Sequence, residues 1–242
     1  MKKFTTLLTI LLISISAYAG DKEPIPLTST NTPITYSIGA KYQGGSVSTL
    51  KNGKWTGYGW ANKETAVLRA DFHNGLELIF EDYLTENQVK TSSTKITSKT
   101  TTVNHHKVIT KTTTTTHKTT EATAGGFEIK PRYTFHLTKK LDFGLQVGLG
   151  DSYGIHNTAL VNKFYYIGEA RFVYKVNDWL KLRTSFQIQN PFNTQYDNWV
   201  NTVKVGPDIR ITKNIDTTIS YVNNFGGTQH GNAFETALNY RF

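Results

Sequence analysis

Basic side chains recur at every second position along several stretches of this chain, the arrangement that could line a passage for anions. Lys130 and Arg132 alternate with Ile129, Pro131 and Tyr133. Arg171 and Lys175 share a phase opposite to Phe172 and Tyr174, and Lys181 and Arg183 flank Leu182. Lys41, Arg69, Lys204, Arg210 and Arg241 take the same phase in other stretches. So do the carboxylates Asp71, Glu77, Glu81, Glu128, Asp142, Glu169, Asp208, Asp216 and Glu235. Eleven basic groups against nine acidic ones admit two readings. Buried charges persist only when paired, so the set could be a self-satisfying network that fills a narrow interior. Alternatively, its basic members form a strip that guides anions through a restricted pore.

A second basic set lies between 90 and 120, "KTSSTKITSKTTTVNHHKVITKTTTTTHKTT", with fourteen threonines, six lysines, three histidines and no acid. One reading is a low-complexity tether. The other uses the strand preference of threonine and the near symmetry of "TTTVNHHKVITKTTT". A three-residue turn at Asn104 to His106 then makes a protruding hairpin. In that register Val103 faces Lys107, and Lys95, Lys99, Lys107 and Lys111 share one face, with Lys99 opposite Lys111. Like charges so placed are unfavourable, and a polyanion relieves them. His105, His106 and His117 come without a carboxylate or a fixed geometry, so neither a metal nor a cofactor is expected. Asp151, Ser152 and His156 fall in one polar loop, "DSYGIHN", with nothing to orient them as a catalytic set, so no enzyme is expected.

Strands must position these groups. Ten segments alternate apolar and polar residues over about nine to eleven positions, the length a tilted strand needs to cross a bilayer. They begin at Ile34 and end on Phe242, where Phe234, Thr236, Leu238, Tyr240 and Phe242 oppose Glu235, Ala237, Asn239 and Arg241. Tight links ("HNG", "LTKK", "NDW", "TKN") alternate with longer ones at 43–63, 85–125, 150–163, 190–199 and 225–232. The pattern predicts an all-β fold, an antiparallel transmembrane barrel of ten strands over 32–242, with short periplasmic turns, long external loops and 85–124 as a Thr/Lys-rich extracellular loop. A twelve-stranded alternative takes the threonine stretch as two more spanning strands. It would offer lipid little beyond Ile96, Val108 and hydroxyls. The last strand closes against the first, so no open edge faces lipid and a monomer is expected. Pro131 and Pro207 each remove a ladder donor on the lipid face, which predicts bulges there. Trp179 belongs to the short-turn rim, and Trp60 and Trp199 to the outer one.

"MKKFTTLLTILLISISAYAG" has a basic start, an apolar run and small residues at Ala17 and Ala19. It predicts a signal peptide over 1–19, followed by a short periplasmic segment at 20–31. The chain has no cysteine, so export brings no disulfide framework. A formal net charge of +9 points to anionic partners outside the bilayer: lipopolysaccharide beside the outer-membrane lipid, and acidic glycans, but no nucleic acid.

"ETAVLRADFHNGLELIFE", with its Asn74-Gly75 turn, resembles the second hairpin of the oligogalacturonate-specific porin family. "YYIGEARFVYKVNDWLKLRTSFQIQN" is similar to a later hairpin of that family. The resemblance implies a monomeric channel of twelve strands, lined by arginines and lysines, that passes acidic oligosaccharides. Arg69, Lys130, Arg132, Arg171 and Arg183 match its basic lining by position. The strand count of ten and the threonine stretch depart from that family. The final strand ending on Phe242 resembles the C-terminal signature of bacterial outer-membrane barrels, which implies recognition by the barrel-assembly machinery.

Overall fold

A computed structural model describes residues 34–51, 54–72, 75–103, 106–156, 163–192, 200–226 and 229–242. The expected signal peptide, the 20–31 segment, Asn74, Asn104, His105 and Trp199 lie outside the described residues. Ten antiparallel strands follow one another: β1 (Thr35–Lys51), β2 (Lys54–Asp71), β3 (Leu76–Val103), β4 (His106–His136) and β5 (Leu141–His156), then β6 (Lys163–Lys175), β7 (Leu180–Pro191), β8 (Val200–Arg210), β9 (Ile215–Phe225) and β10 (Gln229–Arg241). Each pairs with its neighbours in sequence, and β10 returns to pair with β1. Ser37 lies opposite Arg241, and the Phe242 N–H donates to the Tyr36 carbonyl at 3.0 Å. Closure leaves no open sheet edge to face lipid, as a bilayer demands.

The short turns share one rim, and three of them use the same chemistry. The second turn residue accepts two backbone N–H bonds on its side-chain oxygen, a local substitute for strand pairing. Thr138 accepts from Lys140 at 3.2 Å and Leu141 at 3.0 Å. Asn177 accepts from Trp179 at 3.0 Å and Leu180 at 2.8 Å. Thr212 accepts from Asn214 at 3.2 Å and Ile215 at 3.1 Å.

At the opposite rim the strands run on where long loops were expected. β1 and β2 stay paired up to Lys51 and Lys54, across the expected 43–63 loop, with one register shift at Thr49/Leu50. β3 and β4, of 28 and 31 residues, pair without a break to Val103 and His106. Above the membrane both ribbon faces meet water, so loss of the apolar alternation does not end a strand. The twelve-stranded alternative is thereby corrected: the threonine stretch is one hairpin arm on a ten-stranded barrel. Among the described residues, β3 has no pairing with β2 beyond Thr91, and β4 has none with β5 beyond Thr123. The arm therefore stands free for about 12 residues of β3, or about 40 Å.

The prolines correct a second expectation. Partner numbering is unchanged on either side of Pro131 (Ile129 to Leu149, Arg132 to Gln146) and of Pro207 (Val205 to Tyr221, Asp208 to Thr218). Each removes rungs from one ladder but introduces no bulge. The other flank stays paired, Pro131 with Leu78 and Pro207 with Leu182, and holds the register.

The partition of residues is inverted relative to a water-soluble domain. Among the described residues twelve polar or charged side chains are buried against ten apolar ones, while Leu68, Leu78, Ile129, Val147, Leu182 and Leu238 are exposed on the outside. Aromatic rings frame this apolar waist. Phe135, Phe143 and Phe172 form a run across β4, β5 and β6, with centroids 6.1 and 4.9 Å apart. Nearer the arm, ring tips find polar partners: Trp60 Nε1 and Tyr42 Oη donate to Asn62, and Tyr221 Oη donates to Asn232.

One prediction follows from the free-standing arm. Thr91 and Lys118 are direct partners. Excising 92–117 and joining them through an Asn-Gly turn is expected to leave a barrel that still migrates as a heat-modifiable band on cold gels. Loss of that band would mean that the arm takes part in closure.

Candidate functional site

Alternate residues of every strand face the interior, and these line two cavities stacked along the barrel. The cavity toward the arm has a volume of about 300 Å³ and takes Lys41, Lys130, Arg132 and Lys204 from the expected basic set. The cavity toward the short turns has about 490 Å³ and takes Arg69, Arg171, Lys175, Lys181, Arg183, Arg210 and Arg241. Every carboxylate of the expected set lines one or the other.

The upper cavity is a connected ion-pair network built on one wall. Glu81 on β3 receives Lys41 from β1 and, at 2.7 Å, Lys130 from β4. The Lys41–Glu81 pair therefore spans β2, which lies between those two strands. Lys130 also reaches Glu128 at 2.6 Å, and Lys63 approaches the same carboxylate at 3.6 Å. Tyr165 Oη donates to Glu128 at 3.0 Å and lies 3.0 Å from Tyr83 Oη. Lys63 Nζ sits 4.0 Å from the centre of the Tyr83 ring, a cation–π contact. Farther round, Lys204 pairs with Glu235 at 2.6 Å.

Two glycines make room for the tyrosines. A Cβ at Gly150 would lie 2.4 Å from the Tyr165 ring, and one at Gly126 would lie 2.4 Å from both Tyr83 Oη and the Asp151 carbonyl. The phenol ends of the rings pack against bare backbone, which is how a ten-stranded interior holds two tyrosines beside its charges. Apart from Lys204, the facing wall of β7, β8 and β9 is lined by neutral groups, among them Gln187, Gln189, Thr202 and Asn224.

Arg132 marks the boundary between the cavities. Its Nε and Nη2 donate to Gln146 at 3.1 and 2.7 Å, and its Nη1 donates to Glu77 at 3.2 Å. Arg69 approaches the same Glu77 at 3.6 Å. Below it pairing is less complete. Arg183 reaches Asp208 at 3.2 Å and Lys175 reaches Asp142 at 3.1 Å, and Asp216 serves both Arg210 and Arg241. Among the described residues Arg171 and Lys181 enter none of the ion pairs, and Nε of Arg171 and of Arg183 is buried without an acceptor. Positive side chains thus crowd the lower cavity with hydrogen-bond donors to spare.

Several residues escaped the sequence reading. Lys63 was hidden by the expected 43–63 loop, although it continues the phase of Thr65 and Arg69. Tyr83 and Tyr165 share the inward phase with charges but were not singled out. The signal that could have found them is the inward glycines at 126 and 150.

The arm lysines are placed differently from expectation. Val103 pairs with His106 and Thr102 with Lys107, one residue off the expected register. Lys99 therefore lies opposite Thr110 and Lys111 opposite Ser98. Residues directly opposite share a face, so Lys95 and Lys99 lie on one face of the arm and Lys111 on the other. The expected Lys99–Lys111 confrontation does not occur. The "DSYGIHN" segment is not a loop either: β5 runs through it to His156. Asp151 and Ser152, as neighbours in one strand, point to opposite faces.

A closed antiparallel barrel with a charged interior, an apolar waist and aromatic belts is an integral β-barrel of the bacterial outer membrane. No family model and no curated protein matches the chain. Solved structures similar to it include the translocator domain of the autotransporter NalP from Neisseria meningitidis, 10% identical, covering 99% of this chain and 96% of that one with a TM-score of 0.47. An outer membrane channel from Pseudomonas putida F1 is 14% identical, covering 90% and 99%, with a TM-score of 0.48. The KdgM porin, solved in complex with disordered oligogalacturonate, is 12% identical, covering 85% and 99%, with a TM-score of 0.43. Likenesses this distant assign none of those proteins' activities to this chain.

Proposed function

We propose that this barrel is an outer-membrane channel for small anionic solutes, acidic oligosaccharides among them. The observation that supports it most is the surplus of donors in the lower cavity, where among the described residues Arg171 and Lys181 enter no ion pair and the Nε groups of Arg69, Arg171 and Arg183 are buried without a hydrogen-bond acceptor. A passing carboxylate supplies those acceptors, and guanidinium groups take it in a fork geometry. The upper network, with its cations paired, sets the width rather than the charge preference. Eight strands enclose little more than their own side chains and 16 to 18 leave a wide channel, so ten give a narrow path. The oligosaccharide part of the reading rests on the hairpin resemblance alone. Closure of the edges supports a monomer, and the aromatic β10 supports insertion by the barrel-assembly machinery.

Planar-bilayer recording under a potassium chloride gradient is the test. Anion-selective steps are expected from the parent. Changing Arg171 and Arg183 together to Gln is expected to lower the chloride-to-potassium permeability ratio about five-fold, equivalent to about 1 kcal/mol, with the barrel still heat-modifiable. Correctly folded protein that gives no steps would remove the channel reading.

A further inference from the structure

We propose that one face of the hairpin arm, carrying Lys118, Lys95 and Lys99, binds a linear acidic polysaccharide along its length. The register carries the inference. Thr91 pairs with Lys118, Lys95 with Thr114 and Lys99 with Thr110, so the three ammonium groups stand on one face at equal four-residue steps. At about 3.3 Å per residue the steps are about 13 Å each, giving a ladder about 26 Å long. Thr97, Thr110, Thr112 and Thr114 fill the same face, are exposed, and bring hydroxyls that can both donate and accept. No carboxylate occurs between 90 and 118.

The other face is built differently. There Lys90 and Lys111 stand eight rows apart, with Ile96 between them at 64% exposure and Ile109 one row pair beyond Lys111. Lys107, opposite Thr102, adds a third lysine to this face, but the steps are unequal, eight residues and then four, with apolar interruptions.

Geometry selects the class of partner. A single exposed lysine holds an anion by at most about 1 kcal/mol, so a compact anion gains little anywhere on the arm. A chain that reaches all three lysines makes its second and third contacts at high effective concentration, and its affinity rises with its length. The right-handed twist of a two-stranded ribbon turns the ladder slowly about the arm axis, a path that a flexible chain of sugars can follow. Binding of this kind holds whether or not the lumen conducts.

The test uses the full chain in phosphatidylcholine nanodiscs, with polyuronate fractions of increasing length as probe, read by calorimetry. Affinity is expected to rise with chain length and to fall as salt is raised. Two variants remove the same charge. Changing Lys95 and Lys99 to Gln is expected to weaken binding of long fractions about ten-fold, whereas changing Lys90 and Lys111 to Gln changes it less than about three-fold. Equal losses in the two variants would mean that net charge alone attracts the chain, and the ladder falls. Competition by monomeric uronate or inorganic phosphate at equal charge concentration would also overturn it. Preferential competition by lipid A would assign the arm to lipopolysaccharide instead.

Discussion

Glu81→Gln is expected to raise the anion preference of the channel about ten-fold while making the barrel less stable. Glu81 is the carboxylate shared by Lys41 and Lys130 and is buried. Neutralising it leaves Lys41 without its ion-pair partner, while Lys130 keeps Glu128. At an effective dielectric near 20, unit charges about 8 Å apart interact by about 2 kcal/mol, enough for the expected change in permeability ratio after partial screening. Removing one partner of a buried pair costs about 3–5 kcal/mol, which predicts a lower urea midpoint in detergent or lipid. The double variant Lys41→Gln/Glu81→Gln discriminates the causes. It is expected to recover most of the stability and return the selectivity toward the parent, because the charge balance is restored. A single variant with unchanged reversal potential would show that Glu81 lies off the ion path.

Gly126→Val is expected to prevent assembly. The added Cβ meets the Asp151 carbonyl, which is backbone and cannot rotate away, as well as the Tyr83 hydroxyl. Relieving the clash must separate β4 from β5 or expel Tyr83, which breaks its contact with Tyr165. Overpacking of this kind costs about 1–3 kcal/mol, and the lost buried hydrogen bond adds about 1–3 more. Tyr165→Phe is the milder companion: the ring still covers Gly150 and only the hydroxyl's bonds to Glu128 and Tyr83 are lost, so a fall of about 1–3 kcal/mol with normal assembly is expected. A heat-modifiable Gly126→Val barrel with the parent's urea midpoint would show that the glycine is not a fitting for the ring.

Period-two patterning made the barrel and its charged interior legible, because lipid outside and water inside enforce it at membrane level. Lys130, Arg132 and Glu128 could be placed inside from their phase alone, since one-residue errors there would expose them to hydrocarbon. The same logic fails above the membrane. In the arm a one-residue change in turn length exchanges faces without penalty, so Lys99 and Lys111 were set opposite each other when they lie on different sides. Lys63 was lost for a related reason: the apolar phase fades before β2 ends, and the strand continues on backbone pairing alone. The ion-pair partners were beyond reach of pattern altogether. That Lys41 bridges to Glu81 across an intervening strand follows from barrel curvature, which no local stretch encodes.

Strands β1 to β5 run from 16 to 31 residues, whereas β6 to β10 run from 11 to 13. The described wall is thus a screen over half the circumference and a low sill over the rest. A particle drifting along the cell surface toward the barrel from the β1 to β5 side meets the screen first. The entrance has a windward and a lee side, and a bulky particle such as an antibody or a phage tail meets a different obstacle according to the compass bearing of its approach.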